Sequence, residues 1–146
     1  MITGLAHAAV CVPDVDAYVA SEQLDVRRAT DAYLRTGKFS PADMLDFLDE
    51  TISKATSGGK FARLAGETTW TIDEPPGSDL FFEYESMVND FTPRYRQALL
   101  CLYDLELFGG GLLVDILRTH PKLLLGGMII DNPNYLTPDE FLATRS

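Results

Sequence analysis

The stretch QALLCLY at residues 97–103 decides the fold, because it is an almost unbroken apolar run closed by Asp104. A run of this length and composition is typical of a central parallel strand that is covered on both faces. We therefore expect a buried strand at 97–103, inside a sheet with helices packed on both sides.

Strand-like segments occur on both sides of this run. LAHAAVCV at 5–12 is a short apolar run, and KFARLA at 60–65 alternates between apolar and polar residues as a half-buried strand does. KLLL at 122–125 is another apolar strand, and residues 128–131 could extend it as a hairpin.

Helical periodicity fills the intervals between the strands. The clearest helix begins at Pro41, because Ser40 can accept a hydrogen bond from a free amide and proline at the first helical position needs no partner for its missing N–H. Apolar residues then recur at three-to-four spacing as far as Ala55. The other predicted helices are residues 14–35 with a break near Asp25, 79–91, 109–118 and 137–142.

The alternation of strands and helices predicts the fold class. Strand–helix–strand units make right-handed crossovers and give a mostly parallel sheet in a layered α/β sandwich. The 146 residues are enough for one core and too few for two full domains. We therefore predict a single α/β domain over residues 1–146.

Composition and charge exclude several classes of function. Hydrophobic residues make up 46% of the chain and charged residues 23%, which is typical of an ordered globular protein. The formal net charge of -10 argues against a nucleic-acid partner, because phosphate binding depends on basic side chains. No apolar run approaches the roughly 20 residues that span a bilayer, and the opening residues lack the basic start of a signal peptide. We expect a cytoplasmic protein without a membrane partner.

Polar and aromatic residues follow the predicted strands. In an open parallel sheet, ligands bind outside the carboxyl ends of the strands, so Glu67 and Asp104 are candidate general bases. Tyr103 and His120 are the candidate proton donors that would complete catalysis by proton transfer. Further candidate ligand contacts, whose mixture suits a mainly apolar ligand with one or two polar groups, are Thr69, Trp70, Tyr84, Cys101, Arg118 and Tyr135.

Each of these residues also has a purely structural interpretation. Glu67 and Asp104 could cap helix N-termini, and Trp70 and Tyr103 could be half-buried core aromatics. His120 precedes a proline at a helix end, where it could donate to the last carbonyls. The remaining histidine, His7, fits a core strand, and the two cysteines, Cys11 and Cys101, are expected to be buried thiols.

Motifs for metal, nucleotide and nucleophilic chemistry are missing. No H-x-x-x-H, H-E-x-x-H or C-x-x-C spacing brings three metal ligands together. No G-x-S-x-G surrounds a serine, and the three glycines at 109–111 match neither G-x-x-x-x-G-K-[ST] nor G-x-G-x-x-G. We therefore expect neither a metal nor a cofactor.

From Leu24 to Leu142 the chain resembles the MEDS family, the methanogen/methylotroph and dichloromethane-regulator sensory domain. The order and spacing of several short stretches carry the likeness. They are residues 28–39 with Met44, 66–70 (GETTW), 83–85 (EYE), 101–104 (CLYD), 117–121 (LRTHP) with Gly126-Gly127, 132–135 (NPNY) and 138–141 (PDEF).

The resemblance implies a RecA-like or KaiC-like α/β core without a working phosphate loop, which senses small hydrocarbon-derived molecules and is usually fused to a kinase or DNA-binding output. Two departures are expected. Residues 1–23 form an atypical short opening, and no output domain follows, which predicts a shortened, stand-alone version.

Residues 2–16 are also similar to the first strand of glyoxalase-like domains, in which the histidine is a metal ligand. The rest of such a metal site is not visible, so that role is not carried over to His7.

Three functions follow from these observations. The first is a binder of a small, mostly apolar metabolite. The second is an enzyme of specialised metabolism, such as a cyclase, isomerase or lyase, that uses the carboxylates for acid–base chemistry. The third is a protein-interaction module, suggested by the acidic surface and the aromatic helix at 79–91. A RecA-like sheet without its early strands would expose an edge, so we also expect a homodimer.

Overall fold

The computed structural model describes residues 14–145, so the strand predicted at 5–12, with His7 and Cys11, lies outside the described residues. The described part of the chain is a mixed α/β structure. Its α-helices are α1 (Val15–Ala20), α2 (Pro41–Thr56), α3 (Phe81–Phe91), α4 (Gly110–Thr119) and α5 (Pro138–Ala143), and its strands are β1 (Ala62–Glu67), β2 (Gln97–Leu102), β3 (Lys122–Leu125) and β4 (Met128–Asp131).

Helix α2 confirms the predicted helix start. The Ser40 hydroxyl accepts a hydrogen bond from the backbone N–H of Asp43 at 3.3 Å, and Pro41 occupies the first turn. The apolar stripe buries Met44, Leu48 and Ile52 against the core. Local capping and the 3.6-residue period together fix this element.

Strands β1 and β2 pair in parallel, as the sequence predicts. Leu64 lies opposite Leu99 in the register, and Gly66 lies opposite Cys101. Residues alternate between half-buried and exposed along both strands, so only one face of this two-stranded sheet packs on the core within residues 14–145. The expectation that β2 is covered on both faces is wrong for the described residues, because Leu100 and Leu102 are 40% and 44% exposed.

Strands β3 and β4 form an antiparallel hairpin, which confirms that possibility. The two strands form a sheet of their own, so the expectation of a single, mostly parallel sheet is wrong within residues 14–145. Gly126 and Gly127 both have positive φ, 54° and 83°, which is the backbone of the two-residue turns that reverse a strand directly. This turn sends the chain back beside β3, and no crossover helix intervenes.

The segment 14–35 differs from the predicted broken helix. Only α1 is α-helical, and a 3₁₀ turn at Ala29–Asp31 follows it. From Leu24 to Arg27 side chains alternate between half-buried and exposed, and Arg27 donates to the Asp25 carboxylate at 2.8 Å. Residues two apart face the same side of an extended chain but not of a helix. The helical prediction is therefore wrong beyond α1.

Helix α3 is the centre of the structure, since it contacts α2, α4 and α5. Seven of its residues are buried, which leaves its aromatic side chains inside the core and removes them as evidence for a protein-interaction face. Around Phe81 the rings of Phe39, Trp70 and Tyr33 form one aromatic cluster. The loop before α3 closes over Phe39, because Gly77 leaves room for the Phe39 carbonyl where a Cβ would stand 2.1 Å away.

Helix α5 confirms the helix predicted at 137–142, and it begins with a capping box. Thr137 accepts from the N–H of Glu140, and the Glu140 carboxylate accepts from the N–H of Thr137 at 2.8 Å. None of the helices in residues 14–145 combines the length and the apolar run that a bilayer crossing requires. A RecA-like or KaiC-like core stays a prediction.

Candidate functional site

A buried carboxylate, Glu85, lies in the middle of α3 and is only 5% exposed. Its Oε2 atom accepts a hydrogen bond from the Tyr103 hydroxyl at 2.9 Å and lies 3.0 Å from Nε2 of His120. Burying an unpaired carboxylate is costly, so these two partners are what makes Glu85 tolerable in the core. The sequence placed Tyr103 and His120 in the candidate site but did not include Glu85.

The side chains around Glu85 come from different elements. Cys101 and Tyr103 are two residues apart, so both point from β2 and its end towards the core. His120 is the residue at which α4 ends. Ligand-type atoms of Glu85, Cys101 and His120 all lie within 4.8 Å of one another, so these three side chains could hold a metal ion. We call Glu85, Cys101, Tyr103 and His120 the Glu85 cluster.

Hydrogen bonds fix both the ring and the backbone of His120. Its Nδ1 lies 2.7 Å from the carbonyl of Ile116, one turn earlier, and this oxygen can only accept, so Nδ1 carries the proton. The backbone is fixed by an amide donor from a neighbouring element, since Asn132 Nδ2 donates to the His120 carbonyl at 2.7 Å. Asn89 of α3 donates to the Thr119 carbonyl at 2.7 Å. The ring therefore presents Nε2 to Glu85 in a fixed orientation.

The electrostatics of the Glu85 cluster follow from burial and the Glu85 charge. Burial disfavours the charged imidazolium, but the Glu85 carboxylate and the Ile116 carbonyl outweigh it and raise the pKa of His120. Burial raises the pKa of the Cys101 thiol well above its usual range, and the charge of Glu85 adds to this. The pKa of Tyr103 is raised in the same way, so its hydroxyl is a donor at neutral pH.

Tyr33 borders the Glu85 cluster, although its role was not predicted. Its hydroxyl lies 2.4 Å from the position that a Cβ of Gly66 would occupy, so glycine in β1 makes room for it. Gly66 is the register partner of Cys101, which brings the Tyr33 hydroxyl beside the cluster. Burial raises the pKa of Tyr33, and the charges of Glu85 and Cys101 contribute. The Tyr33 ring stacks on Trp70 at 4.9 Å and so connects the cluster to the aromatic core.

The two predicted carboxylates lie at the strand ends, as expected, but are exposed. Glu67 accepts from the backbone N–H of Thr69 at 2.7 Å, and Asp104 accepts from that of Glu106 at 3.0 Å. Both contacts satisfy free amides at the start of short turns, which matches the capping interpretation. The structure does not bring either carboxylate to the hydroxyl of Tyr103 or the ring of His120, which both contact Glu85 instead.

The remaining predicted contacts divide between core and surface. Trp70 and Tyr84 are buried among the aromatic rings, and the Nε1 atom of Trp70 has no hydrogen-bond partner within residues 14–145. Arg118 is exposed, and Tyr135 is half-buried beyond α4. A shallow surface depression of about 500 Å³ runs along residues 74–79 and does not include the Glu85 cluster.

Glu85 was not predicted as a site residue because no local feature of the sequence distinguishes it from Glu83, two residues earlier on the same helix. The Glu85 carboxylate can be buried because His120 at the end of α4 and Tyr103 at the end of β2 contact it. The three possible metal ligands likewise come from α3, β2 and the end of α4, so no motif with short spacing contains them. The stretches EYE, CLYD and LRTHP each contribute one or two members, and their convergence is the signal that could have located the site.

His120 is expected to titrate above 6.5 in chelator-treated protein, and Glu85→Gln is expected to lower that midpoint. Because the folded pKa is raised, the stabilisation from this pair is fully present below pH 6.5 and is lost as pH rises through the folded pKa. NMR titration of the imidazole signals, assigned with His120→Gln, measures the midpoint. An unchanged His120 midpoint in Glu85→Gln would contradict the pairing, and His7 serves as the internal comparison.

The fold and the Glu85 cluster define a small α/β domain with a buried polar centre, and the comparisons place it in a family. The family model of MEDS, the methanogen/methylotroph, DcmR sensory domain, matches residues 3–121. The chain therefore belongs to the MEDS family, which confirms the resemblance seen in the sequence. The matched range contains all four residues of the Glu85 cluster and ends just after His120.

One curated relative is a regulator. The chain is 34% identical over 85 residues to the transcriptional repressor DcmR of Methylorubrum extorquens (strain DSM 6343 / CIP 106787 / DM4). The aligned part is 57% of this chain and 32% of the repressor, so the chain matches about a third of that protein's length. No solved structure matches the chain. Membership of the family and this likeness together support a sensory role.

Proposed function

We propose that this domain senses a small, mostly apolar molecule, whose polar group binds at the Glu85 cluster. The observation that carries the proposal is the convergence of a buried carboxylate, an imidazole, a phenol and a thiol in one place. A polar group of a ligand can replace one of the hydrogen bonds to Glu85 and so change how α3, β2 and α4 are held together. Such an exchange couples binding to the packing of three elements.

Aromatic rings supply the apolar surroundings that such a ligand needs. The Tyr103 ring packs edge-on against His120 at 5.4 Å and against Phe108 at 5.8 Å, and the Tyr33 ring stacks on the buried Trp70 ring at 4.9 Å. Trp70 Nε1, which has no hydrogen-bond partner among the described residues, offers a further donor. Apolar walls with a few fixed polar groups are the usual construction of small-molecule sites.

Under this proposal, the residues predicted from the sequence differ in how directly they contact the ligand. Tyr103, His120 and Cys101 contact the polar group, and Trp70 and Tyr84 form the apolar side. Glu67, Thr69 and Asp104 border the ligand from the solvent side of the strand ends. Arg118 and Tyr135 act only through α4, because they lie on its outer side or beyond its end.

A ligand screen by NMR tests the proposal. The chelator-treated protein is titrated with a panel of small hydrocarbon derivatives, such as short alcohols, ketones and alkyl halides, while the backbone amides are followed. Binding is expected to shift amides near residues 85, 101–104 and 119–120. Tyr103→Phe and Glu85→Gln are expected to weaken binding about tenfold or more, which is the loss of a hydrogen bond to a charged group. Glu50→Gln on the exposed face of α2 is the matched control. Shifts confined to another surface, or affinities unchanged in both cluster variants, would overturn the site.

An enzyme is the second candidate, because a buried carboxylate in contact with an imidazole is a typical acid–base arrangement. The carboxylate in this role would be Glu85, since His120 and Tyr103 contact it. A cyclisation, isomerisation or elimination needs only such proton transfers. Mass spectrometry after incubation with the bound compound separates the candidates, because a sensor leaves its ligand unchanged and an enzyme alters it only while Glu85 and His120 are present.

A homodimer through the β3–β4 hairpin fits the exposed apolar residues. Ile129, Met128 and Leu125 are 72%, 66% and 54% exposed, a concentration of apolar surface that proteins usually cover. Within residues 14–145 the hairpin has two strands, and each has an edge that no other described strand pairs with. Sedimentation is expected to show a concentration-dependent dimer that Ile129→Lys converts to a monomer. A monomer at all concentrations would exclude this arrangement.

A further inference from the structure

Three metal-binding side chains meet at the centre of the structure, although no metal motif exists in the sequence. We propose that Cys101 Sγ, His120 Nε2 and a carboxylate oxygen of Glu85 bind one divalent transition-metal ion of the Zn²⁺ type. The inference goes beyond the proposed sensing role and does not depend on it, because the metal is tested by itself. A thiolate, an imidazole and a carboxylate are ligands that Zn²⁺ accepts in proteins.

The distances are close to those of a tetrahedral site. With metal–ligand bonds of about 2.0–2.3 Å, neighbouring ligand atoms in a tetrahedron are roughly 3.3–3.8 Å apart. The three ligand atoms here lie within 4.8 Å of one another, and the pair between Glu85 and His120 is 3.0 Å apart. Adjustments of about 1 Å or less along side-chain torsions would admit the ion. Neither α3 nor α4 has to move as a whole.

The contacts around the three ligands match the second shell of metal sites. A metal-bound histidine usually donates its other N–H to a backbone carbonyl, as His120 Nδ1 does to Ile116 at 2.7 Å. A metal-bound carboxylate is usually hydrogen-bonded in turn, as Glu85 is by Tyr103 at 2.9 Å. The His120 backbone is also held by Asn132. These contacts fix Nε2 and the carboxylate before any ion arrives.

Charge and coordination number define what kind of site this would be. A thiolate and a carboxylate together carry two negative charges, which balance one divalent cation in a buried place. Binding would release the thiol proton of Cys101 and the proton between His120 and Glu85. The described residues 14–145 supply three ligands, and a site with three protein ligands has a fourth position for water or a small ligand, which is the open type of site.

Cobalt titration of the chelator-treated full chain tests the proposal. Co²⁺ is expected to bind with one-to-one stoichiometry and to give a thiolate charge-transfer band with the visible bands of tetrahedral coordination, both removed by Zn²⁺. Cys101→Ser is expected to abolish the charge-transfer band, and Cys11→Ser is the matched control that retains it. Glu85→Gln and His120→Gln are expected to weaken binding tenfold or more, while Glu50→Gln on the exposed face of α2 leaves it unchanged.

Two results would rule out the proposed metal site. One is the absence of a charge-transfer band at equimolar Co²⁺ in a folded protein. Another is a band that survives Cys101→Ser and disappears in Cys11→Ser. Circular dichroism verifies folding of each variant, and Cys101→Ala provides a second substitution if the serine variant does not fold. Failure of the metal leaves the ligand screen unaffected, because that screen uses chelator-treated protein.

Discussion

Phe39→Ala is expected to lower the free energy of unfolding by about 3–5 kcal/mol, the range for large aromatic residues removed from a packed core. Phe39 is 1% exposed, and its ring contacts those of Tyr33, Trp70, Phe81 and Tyr84 at centroid distances of 5.2–6.5 Å. Its removal therefore leaves a cavity shared by several rings that belong to different elements. These neighbours cannot all move inward, so little of the cavity can collapse.

Urea unfolding followed by far-ultraviolet circular dichroism measures this loss, because the midpoint falls while the slope stays the same for an unchanged folded state. Phe61→Ala is the matched control, since Phe61 is 47% exposed and contacts the Arg63 guanidinium at 5.2 Å. We expect it to cost about 1 kcal/mol or less. Equal losses in the two variants would mean that the aromatic cluster does not stabilise the fold as described.

Local signals in the sequence were enough to predict several elements. The start of α2 follows from the Ser40 cap and Pro41, and the β3–β4 hairpin follows from two adjacent glycines that both adopt positive φ. The parallel pairing of β1 and β2 follows from a strand–helix–strand order. Each of these features depends on residues within a few positions of one another, or on the handedness of a single crossover.

The errors arose where the environment decides the conformation. QALLCLY has the composition of a strand covered on both faces, yet Leu100 and Leu102 face outward within the described residues, because a strand's neighbours and not its composition determine its cover. The segment 24–27 contains apolar residues compatible with either period. In the structure it is extended, with Leu24 and Val26 half-buried and the Asp25–Arg27 ion pair exposed.

The candidate site was predicted only where it lies at the end of a strand or of a helix. Tyr103 and Cys101 belong to the carboxyl end of β2, where the rule for parallel sheets directs attention, and His120 precedes a helix-breaking proline. Glu85 has neither signal, since it occupies the interior of an amphipathic helix. Its proposed role depends on burial, and burial is a property of the packed molecule that a single sequence does not display.

Glu85→Ala is expected to lower the free energy of unfolding by about 3–5 kcal/mol at pH 6 in chelator-treated protein, the usual cost of breaking a buried ion pair by removing one partner. The substitution deletes the acceptor for both Nε2 of His120 and the hydroxyl of Tyr103. Neither donor can turn to water easily, because the His120 side chain is 18% exposed and its ring is anchored at Ile116. The control, Glu50→Ala at an exposed position of α2, is expected to cost about 0.5 kcal/mol or less.

The double variant Glu85→Ala/His120→Ala separates the pair from other effects of the substitution. If the loss in Glu85→Ala comes from an uncompensated donor on His120, removing that donor too recovers part of the stability, and the cycle gives a coupling energy of about 1–3 kcal/mol. A loss in Glu85→Ala no larger than in Glu50→Ala, or a coupling energy near zero, would contradict the pairing. A buried ion pair is not in general more stable than an apolar replacement, so its presence between α3 and the end of α4 supports the proposed binding role.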